Sequence, residues 1–263
     1  MPIIAEIESY KDDLIRWRRD IHAHPELAYE EERTSRLVSE LLADWVIKVD
    51  RGLGKTGVVG TLSAGTGPSI ALRADMDALP MEEANTFDYK SRHVGRMHAC
   101  GHDGHTAMLL GAARYLAEHG SFTGTVHFVF QPAEEAAGGA KRMLDEGLFS
   151  RFPVDAIFGM HNWPGLEAGS FATRPGSLMA SLDCFDICVT VKGTHGATPQ
   201  RGVDPIVISS QIIGALQTVV SRNIDPNQSA VISVTKMHAG DAYNVIPPQA
   251  YFCLLYTSDA ADE

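Results

Sequence analysis

The sequence predicts an α/β fold, a largely parallel mixed sheet flanked by helices, followed by a smaller α+β domain. From Val58 onward, continuous apolar runs alternate with helical patterns, which is typical of strands buried on both faces of a sheet. After about Asp183 the strands become shorter and alternate apolar with polar residues. With 263 residues, 44% of them hydrophobic, the chain is long enough for one large core or two smaller ones.

The first sixty residues predict two helices and a turn region. Apolar residues recur at steps of three and four from Ile3 to Ile21, which indicates an amphipathic helix. A second helix is predicted through Leu37 to Trp45. The glycines at 52, 54 and 57 then mark turns.

The remaining elements follow from apolar runs and their spacing. Strands are predicted in the first domain at Val58–Val59, Ile70–Leu72, Val126–Phe130 and Val154–Phe158. Helices fill two of the gaps between them, Thr106–His119 and Ala136–Glu146. The second domain is predicted to hold a strand, a helix and a strand, Phe185–Val189, Pro205–Arg222 and Ala230–Val234. We place the first domain at residues 1–182 and the second at 183–252.

The densest chemical signal is the segment His98–His105. It holds three histidines, a cysteine and an aspartate, in a chain that has only 11 His and 4 Cys. A divalent metal requires such donors close together on a chain that can bend, and two glycines allow the bend. Metal binding is therefore favoured over a histidine-rich helix cap or a thiol–imidazole nucleophile. His22 and His24 could form another pair, but Pro25 restricts the backbone of His24 and favours a loop near the site.

Polar residues also follow three of the predicted strands. Asp75 and Asp77 come after one, Glu134 and Glu135 after the next, and His161 after the third. Singly, these residues could be helix caps, solvated acids or a loop histidine. Sheets of this kind bind ligands beyond the carboxyl ends of their strands, so we expect the clusters to form one site with donors for two divalent ions.

Five motifs, taken in order, strongly resemble the hippurate-hydrolase and N-acyl-amino-acid amidohydrolase branch of the aminoacylase-type metallopeptidases. The resemblance extends from Met1 to about Tyr251. The motifs are Arg73–Pro80, His98–His105, Gln131–Glu135, Met160–Gly165 and Asn244–Pro247.

The resemblance implies a catalytic domain with two divalent ions, zinc, manganese or cobalt, and an inserted, ferredoxin-like domain through which a homodimer forms. Four residues match the metal ligands of the family: Cys100, His102, Glu135 and His161. Glu134 matches the general acid and base, and Asp77 matches an aspartate that orients a ligand. His195 matches a histidine that reaches the substrate across the dimer, and Asn244 matches a residue of the substrate pocket.

The implied reaction is hydrolysis of the amide bond in N-acyl or N-aroyl amino acids, which releases a carboxylic acid and a free amino acid. We expect a metal-activated water to attack the carbonyl while Glu134 takes its proton and then protonates the leaving amine. A metallo-dipeptidase or carboxypeptidase of the same fold is an alternative. Two others are a thiol hydrolase, with Cys100 as nucleophile and His102 or His105 as base, and a non-catalytic metal-binding scaffold.

The resemblance stops at about Phe252, inside the small domain, whereas relatives continue and supply a last metal-binding histidine. Residues 253–263 predict neither a strand nor a helix, and their sequence is that of a translated transposon-end sequencing adapter. We therefore expect a truncated gene with a non-native tail. As written, the chain is expected to be inactive and prone to aggregate, because its metal site lacks a ligand and its small domain is split.

Charge and composition narrow the possible partners. The net charge of −11, from 22 basic and 33 acidic residues, disfavours nucleic acid and anionic membranes. No apolar run reaches the roughly 18 residues of a membrane span. The four cysteines lack the spacing of a disulfide scaffold, so we expect a cytoplasmic protein. The small-molecule substrate, an N-acyl amino acid, is implied by the family resemblance.

Overall fold

The structure is a computed structural model that describes residues 4–135, 137–176 and 178–259. It divides into two compact units, Met1–Gly169 and Ser170–Glu263. The sequence-based boundary after residue 182 would cut a strand that begins at Ala180, so the first unit ends earlier than predicted. Within these described ranges, no helix combines the length and apolar character that crossing a membrane requires.

The first unit contains a five-stranded mixed sheet. Its strands are β1 (Lys48–Leu53), β2 (Gly57–Ala64), β3 (Ser69–Asp75), β4 (Gly124–Gln131) and β5 (Ala156–Gly159). Their order is β1-β2-β4-β3-β5. Strands β4, β3 and β5 are parallel, whereas β1 pairs with β2, and β2 with β4, in antiparallel fashion. The predicted mixed sheet is confirmed, and its parallel part is three strands wide because the glycine turn makes β1 and β2 a hairpin.

Helices cover both faces of this sheet, as the continuous apolar strands predicted. They are α1 (Ala5–Ser9), α2 (Lys11–Ala23), α3 (Glu32–Asp44), α4 (His102–His119), α5 (Gly139–Asp145) and α6 (Leu148–Arg151). The predicted opening helix is divided at Tyr10. Its predicted first residue, Ile3, lies outside the described residues, as does Ala136 at the predicted start of α5.

Alternate residues of β4 point into two separate cores. Phe128 and Phe130 are fully buried and pack with apolar residues of α2, α3 and α4 on one face. Val129 packs on the other face with Met143 of α5 and Leu148 of α6. Because side chains along a strand alternate between faces, this one strand anchors both helical layers.

The second unit is α+β. Strands β6 (Ala180–Thr190), β8 (Ala230–Ala239) and β10 (Gln249–Asp259) form an antiparallel sheet in the order β6-β10-β8, and β7 (Thr194–His195) pairs with β9 (Val245–Ile246). Helix α7 (Pro205–Asn223) begins where the carboxylate of Asp204 accepts the backbone N–H of Ile206 at 2.8 Å. The strand, helix and strand predicted in this part of the chain are all present.

The prediction that residues 253–263 continue no element is wrong as far as Asp259. Strand β10 runs through them and is the central strand of its sheet. Phe252 and Leu254 are buried on one face, while Cys253 between them is half-buried. The alternation of a strand therefore continues past Phe252, where the resemblance was expected to stop. Residues 260–263 lie outside the described part of the chain.

Phe128→Ala should destabilise the first unit by about 3–5 kcal/mol, because a fully buried aromatic ring is removed and the core cannot close over the cavity. Urea unfolding of both proteins measures the loss. The control is Phe158→Ala, which removes the same ring from a side chain that is 57% exposed and should cost much less. Equal losses would contradict the described core.

Candidate metal centre

The candidate site lies at the carboxyl edge of the three parallel strands. Strand β3 ends at Asp75, β4 at Gln131 and β5 at Gly159, and the register of the pairs puts these ends at one edge. Asp77, the pair Glu134–Glu135 and His161 follow the three ends. Helix α4 begins beside them at His102, directly after Cys100 and Gly101.

Gly101 shapes that loop. Its φ of 94° lies in the left-handed region that favours glycine. A Cβ at this position would lie 2.2 Å from Oδ1 of Asn162, so a side chain here would displace the side chain of Asn162. The close approach of these two segments allows Sγ of Cys100 to lie 3.3 Å from Nε2 of His161. The glycine bend therefore also lets the loop that carries Cys100 contact the loop that carries His161.

His102 is held by Asp77. Its Nδ1 donates to the backbone carbonyl of Asp77 at 2.8 Å, which leaves Nε2 as the ring nitrogen that can bind a metal in place of a proton. Nε2 is buried without a hydrogen-bond partner and lies 3.8 Å from Oε1 of Glu135, which is also buried and unpartnered. Oε2 of Glu134 lies 3.9 Å from the same nitrogen. Carboxylates beside this buried nitrogen are costly unless a proton or a metal cation lies between them and the ring.

The donor atoms form two groups that share His102. Cys100, His102 and His161 form one, and His102, Glu134 and Glu135 form the other, with all ligand atoms of a group within 4.8 Å of one another. Nδ1 of His161 donates to the carbonyl of Asn162 at 2.6 Å, so its Nε2 remains free. A thiol, imidazoles and carboxylates at this spacing fit a divalent metal such as zinc.

Negative charge dominates the surroundings of His102. Burial by itself would lower the pKa of this histidine, but its hydrogen bond to Asp77, the nearby Cys100 and the charges of Asp75 and Asp77 outweigh it and raise the pKa to about 11. Burial, together with the charge of Glu134, raises the pKa of Glu135. The site thus strongly favours positive charge at its centre, which a metal cation would also supply.

A third group, Asp75, His102 and His105, also lies within 4.8 Å, but His105 has no free nitrogen. Its Nδ1 donates to Oδ1 of Asp75 at 2.6 Å, and its Nε2 accepts the backbone N–H of Asn162 at 2.9 Å. The guanidinium of Arg73 donates to the other oxygen of Asp75 at 2.8 Å. His105 is therefore a hydrogen-bonding residue in this structure, not an available ligand.

The remaining predicted residues lie outside this cluster. His195, in β7, and Asn244, just before β9, are both exposed and belong to the second unit, where Gly196 N–H donates to the carbonyl of Asn244 at 2.7 Å. His22, predicted in a loop near the site, ends helix α2 instead. It is buried between Asp103, at 2.9 Å, and Glu83, at 3.1 Å, and so braces the residue next to His102.

Sequence reasoning missed Glu31, which supports the turn before Glu134. Its carboxylate is completely buried and accepts from the hydroxyl of Thr56 and, at 2.8 Å, from the backbone N–H of Ala133. Ala133 has a φ of 52°, which is unfavourable for a residue with a Cβ. Burial raises the pKa of Glu31. The acid lies in the run Glu30–Glu32, which is typical of a solvated helix start, so nothing in the sequence pattern distinguishes it.

Glu31→Gln should lower the free energy of unfolding by about 1–3 kcal/mol, because the amide group offers only one acceptor oxygen for two donors. Urea unfolding measures the change. Glu32→Gln is the control, since Glu32 is exposed in the first turn of α3 and its loss should cost less than about 1 kcal/mol. A Glu31→Gln protein as stable as the control would contradict this role.

Comparison with known proteins agrees with the motifs. Residues 71–261 match the sequence profile of peptidase family M20/M25/M40. A hippurate hydrolase from Campylobacter jejuni is 46% identical over 248 residues, which are 94% of this chain and 64% of that protein. An N-acetylcysteine deacetylase from Bacillus subtilis is 45% identical over 246 residues, 92% of this chain and 64% of that protein. The chain thus spans a little under two thirds of the length of these relatives.

A solved structure has the same architecture. The Bacillus subtilis YXEP protein, described as a dinuclear metal binding peptidase, superposes with a TM-score of 0.70 at 40% identity. The match covers 95% of this chain and 65% of that one. The similarity therefore extends over both units of the chain.

Proposed function

Because the chain belongs to peptidase family M20/M25/M40, we propose that the protein hydrolyses the amide bond of N-acyl or N-aroyl amino acids with two divalent metal ions. The observation that carries this proposal is the pair of buried, unpartnered atoms, Nε2 of His102 and Oε1 of Glu135, beside the carboxylate of Glu134. The names of the relatives support an amide substrate with a free amino acid as product.

Cys100, His102, Glu135 and His161 are the proposed ligands. When bound, the ions would supply Lewis-acid chemistry, making water a better nucleophile near neutral pH and polarising the amide carbonyl. The thiolate favours zinc, although manganese and cobalt also accept imidazole and carboxylate ligands. Asp77 positions two of the ligands, because its carbonyl accepts from His102 and its Oδ2 accepts the backbone N–H of Glu135 at 2.9 Å.

Glu134 is the proposed general acid and base. Its side chain is 41% exposed, whereas that of Glu135 is 22% exposed, so the two neighbouring acids differ in access to solvent and substrate. Glu134 would take a proton from the attacking water and deliver it to the leaving nitrogen. The same carboxylate would thus serve in both proton transfers, and the reaction would need no second acid.

The second unit is proposed to complete the site from a partner protomer. His195 would donate to the oxygen of the tetrahedral intermediate, and Asn244 would line the substrate pocket. His195 and Asn244 are both exposed, and the backbone of Gly196, next to His195, donates to the carbonyl of Asn244. These two observations support a joint role. The homodimer, the cytoplasmic location and the absence of nucleic-acid or membrane partners stay predictions.

One contact favours a second candidate, the thiol hydrolase. Sγ of Cys100 lies 3.3 Å from Nε2 of His161, and the carbonyl of Asn162 orients that ring, which resembles a nucleophile, its base and an orienting group. His161 would then be the base in place of His102 or His105, whose nitrogens face Asp77, Asp75 and Asn162.

Glu134→Gln should reduce turnover by about 10²–10⁴-fold while zinc still binds, because the amide cannot transfer protons but the proposed ligands remain. Hippurate hydrolysis and zinc content are measured on the 263-residue chain and on the same chain joined to the part of the hippurate hydrolase that it does not match. Glu40→Gln, a change at an exposed acid of α3, is the control. Unchanged turnover in Glu134→Gln would refute this mechanism.

Removal of metal should distinguish the two candidate reactions. Dialysis against a chelator is expected to abolish hydrolysis, and zinc or cobalt should restore it. A thiol hydrolase would remain active without metal and would instead be inactivated by alkylation of Cys100. Activity that survives the chelator would therefore favour the second candidate.

A further inference from the structure

The loop after β5 carries His161, yet its own packing does little to hold it. Its large apolar side chains point into solvent: Met160 is 44% exposed, Trp163 63% and Leu166 42%. A metal ligand on such a loop needs another anchor if its nitrogen is to stay beside Cys100.

His105 provides that anchor from the rigid side of the site. It lies in the first turn of α4 and is almost completely buried. Its Nε2 accepts the backbone N–H of Asn162 at 2.9 Å. Its ring also packs edge-on against the ring of His161, with centroids 4.5 Å apart. One buried side chain thus holds both the backbone and the ring of the exposed loop.

Asp75 determines which nitrogen of His105 is free to do this. Its Oδ1 accepts from Nδ1 of His105 at 2.6 Å, so the proton lies on Nδ1 and the lone pair of Nε2 faces Asn162. Arg73 holds the other carboxylate oxygen, and the hydroxyl of Thr106 donates to the carbonyl of Asp75 at 2.9 Å.

The contacts form a continuous path from the sheet to the proposed ligand. Asp75 orients His105, His105 holds the peptide of Asn162, and the carbonyl of Asn162 accepts from Nδ1 of His161 at 2.6 Å. That last bond turns Nε2 of His161 toward Sγ of Cys100, 3.3 Å away. Three hydrogen bonds in series therefore join Asp75 to His161: Asp75 to His105, His105 to the N–H of Asn162, and the carbonyl of Asn162 to His161.

We propose that Asp75 and His105 are positioning residues that hold Nε2 of His161 beside Cys100 and thereby set the metal affinity of the site. The inference rests on the proposed function, because it assumes that Cys100 and His161 bind metal. Neither Asp75 nor His105 is itself a ligand in this account.

Cobalt(II) binding by the 263-residue chain tests the proposal, followed by titration and by the thiolate-to-cobalt absorption band. His105→Asn keeps a donor near Nδ1 but leaves the N–H of Asn162 without an acceptor, and should weaken cobalt affinity about 10–100-fold and reduce the band. His105→Gln offers an acceptor near the position of Nε2 and should restore most of both. His127→Asn, at a buried histidine of β4 bonded to Thr61, is the matched control and should leave cobalt binding unchanged.

The outcomes separate this inference from the metal site itself. No cobalt binding by the unaltered chain, nor by the same chain joined to the part of the hippurate hydrolase that it does not match, would refute the site and the inference together. Wild-type affinity in His105→Asn, or equal loss in the Asn and Gln variants, would refute the positioning role alone. The ring ¹⁵N spectrum of the unaltered chain needs no variant: a proton on Nδ1 of His105 is expected, and a proton on Nε2 would overturn the proposal.

Discussion

The hydrogen bond from Nδ1 of His102 to the carbonyl of Asp77 is the interaction on which the candidate centre depends. It leaves Nε2 as the free nitrogen of a buried ring and aims it at Glu134 and Glu135. Asp77 also binds the backbone of Glu135, so one residue beyond β3 joins the start of α4 to the segment beyond β4. This geometry is possible because β3 and β4 are parallel and end at the same edge.

Around that bond, the fold keeps several unfavourable features in place. Ala133 has a positive φ angle, Glu31 is a buried acid, and Nε2 of His102 and Oε1 of Glu135 have no partner. Such local strain persists only where the surrounding structure is well determined. Here the support comes from β4, whose alternate residues pack into the two apolar cores and whose end lies at the edge of the sheet that carries the site.

The sequence was sufficient for most of the sheet, the helices and the convergence of donors, because apolar periodicity and strand ends are local signals. Glu31 was missed because its sequence neighbours are acidic, and only the fold buries it against Ala133. The roles of Asp75 and His105 depend on Asn162, which is distant in sequence. The strand through Cys253 was not predicted, because the motifs of the family were expected to stop at about Phe252. The apolar alternation of the strand nevertheless continues there, with Phe252 and Leu254 both buried.

The most direct test of the central account is X-ray absorption at the zinc edge of the metal-loaded chain. If Cys100, His102, Glu135 and His161 bind metal, the spectrum will contain a sulfur scatterer at about 2.3 Å together with nitrogen and oxygen at about 2.0–2.2 Å. The sulfur will be absent from Cys100→Ser. A spectrum with no sulfur, or one that Cys100→Ser leaves unchanged, would contradict the account.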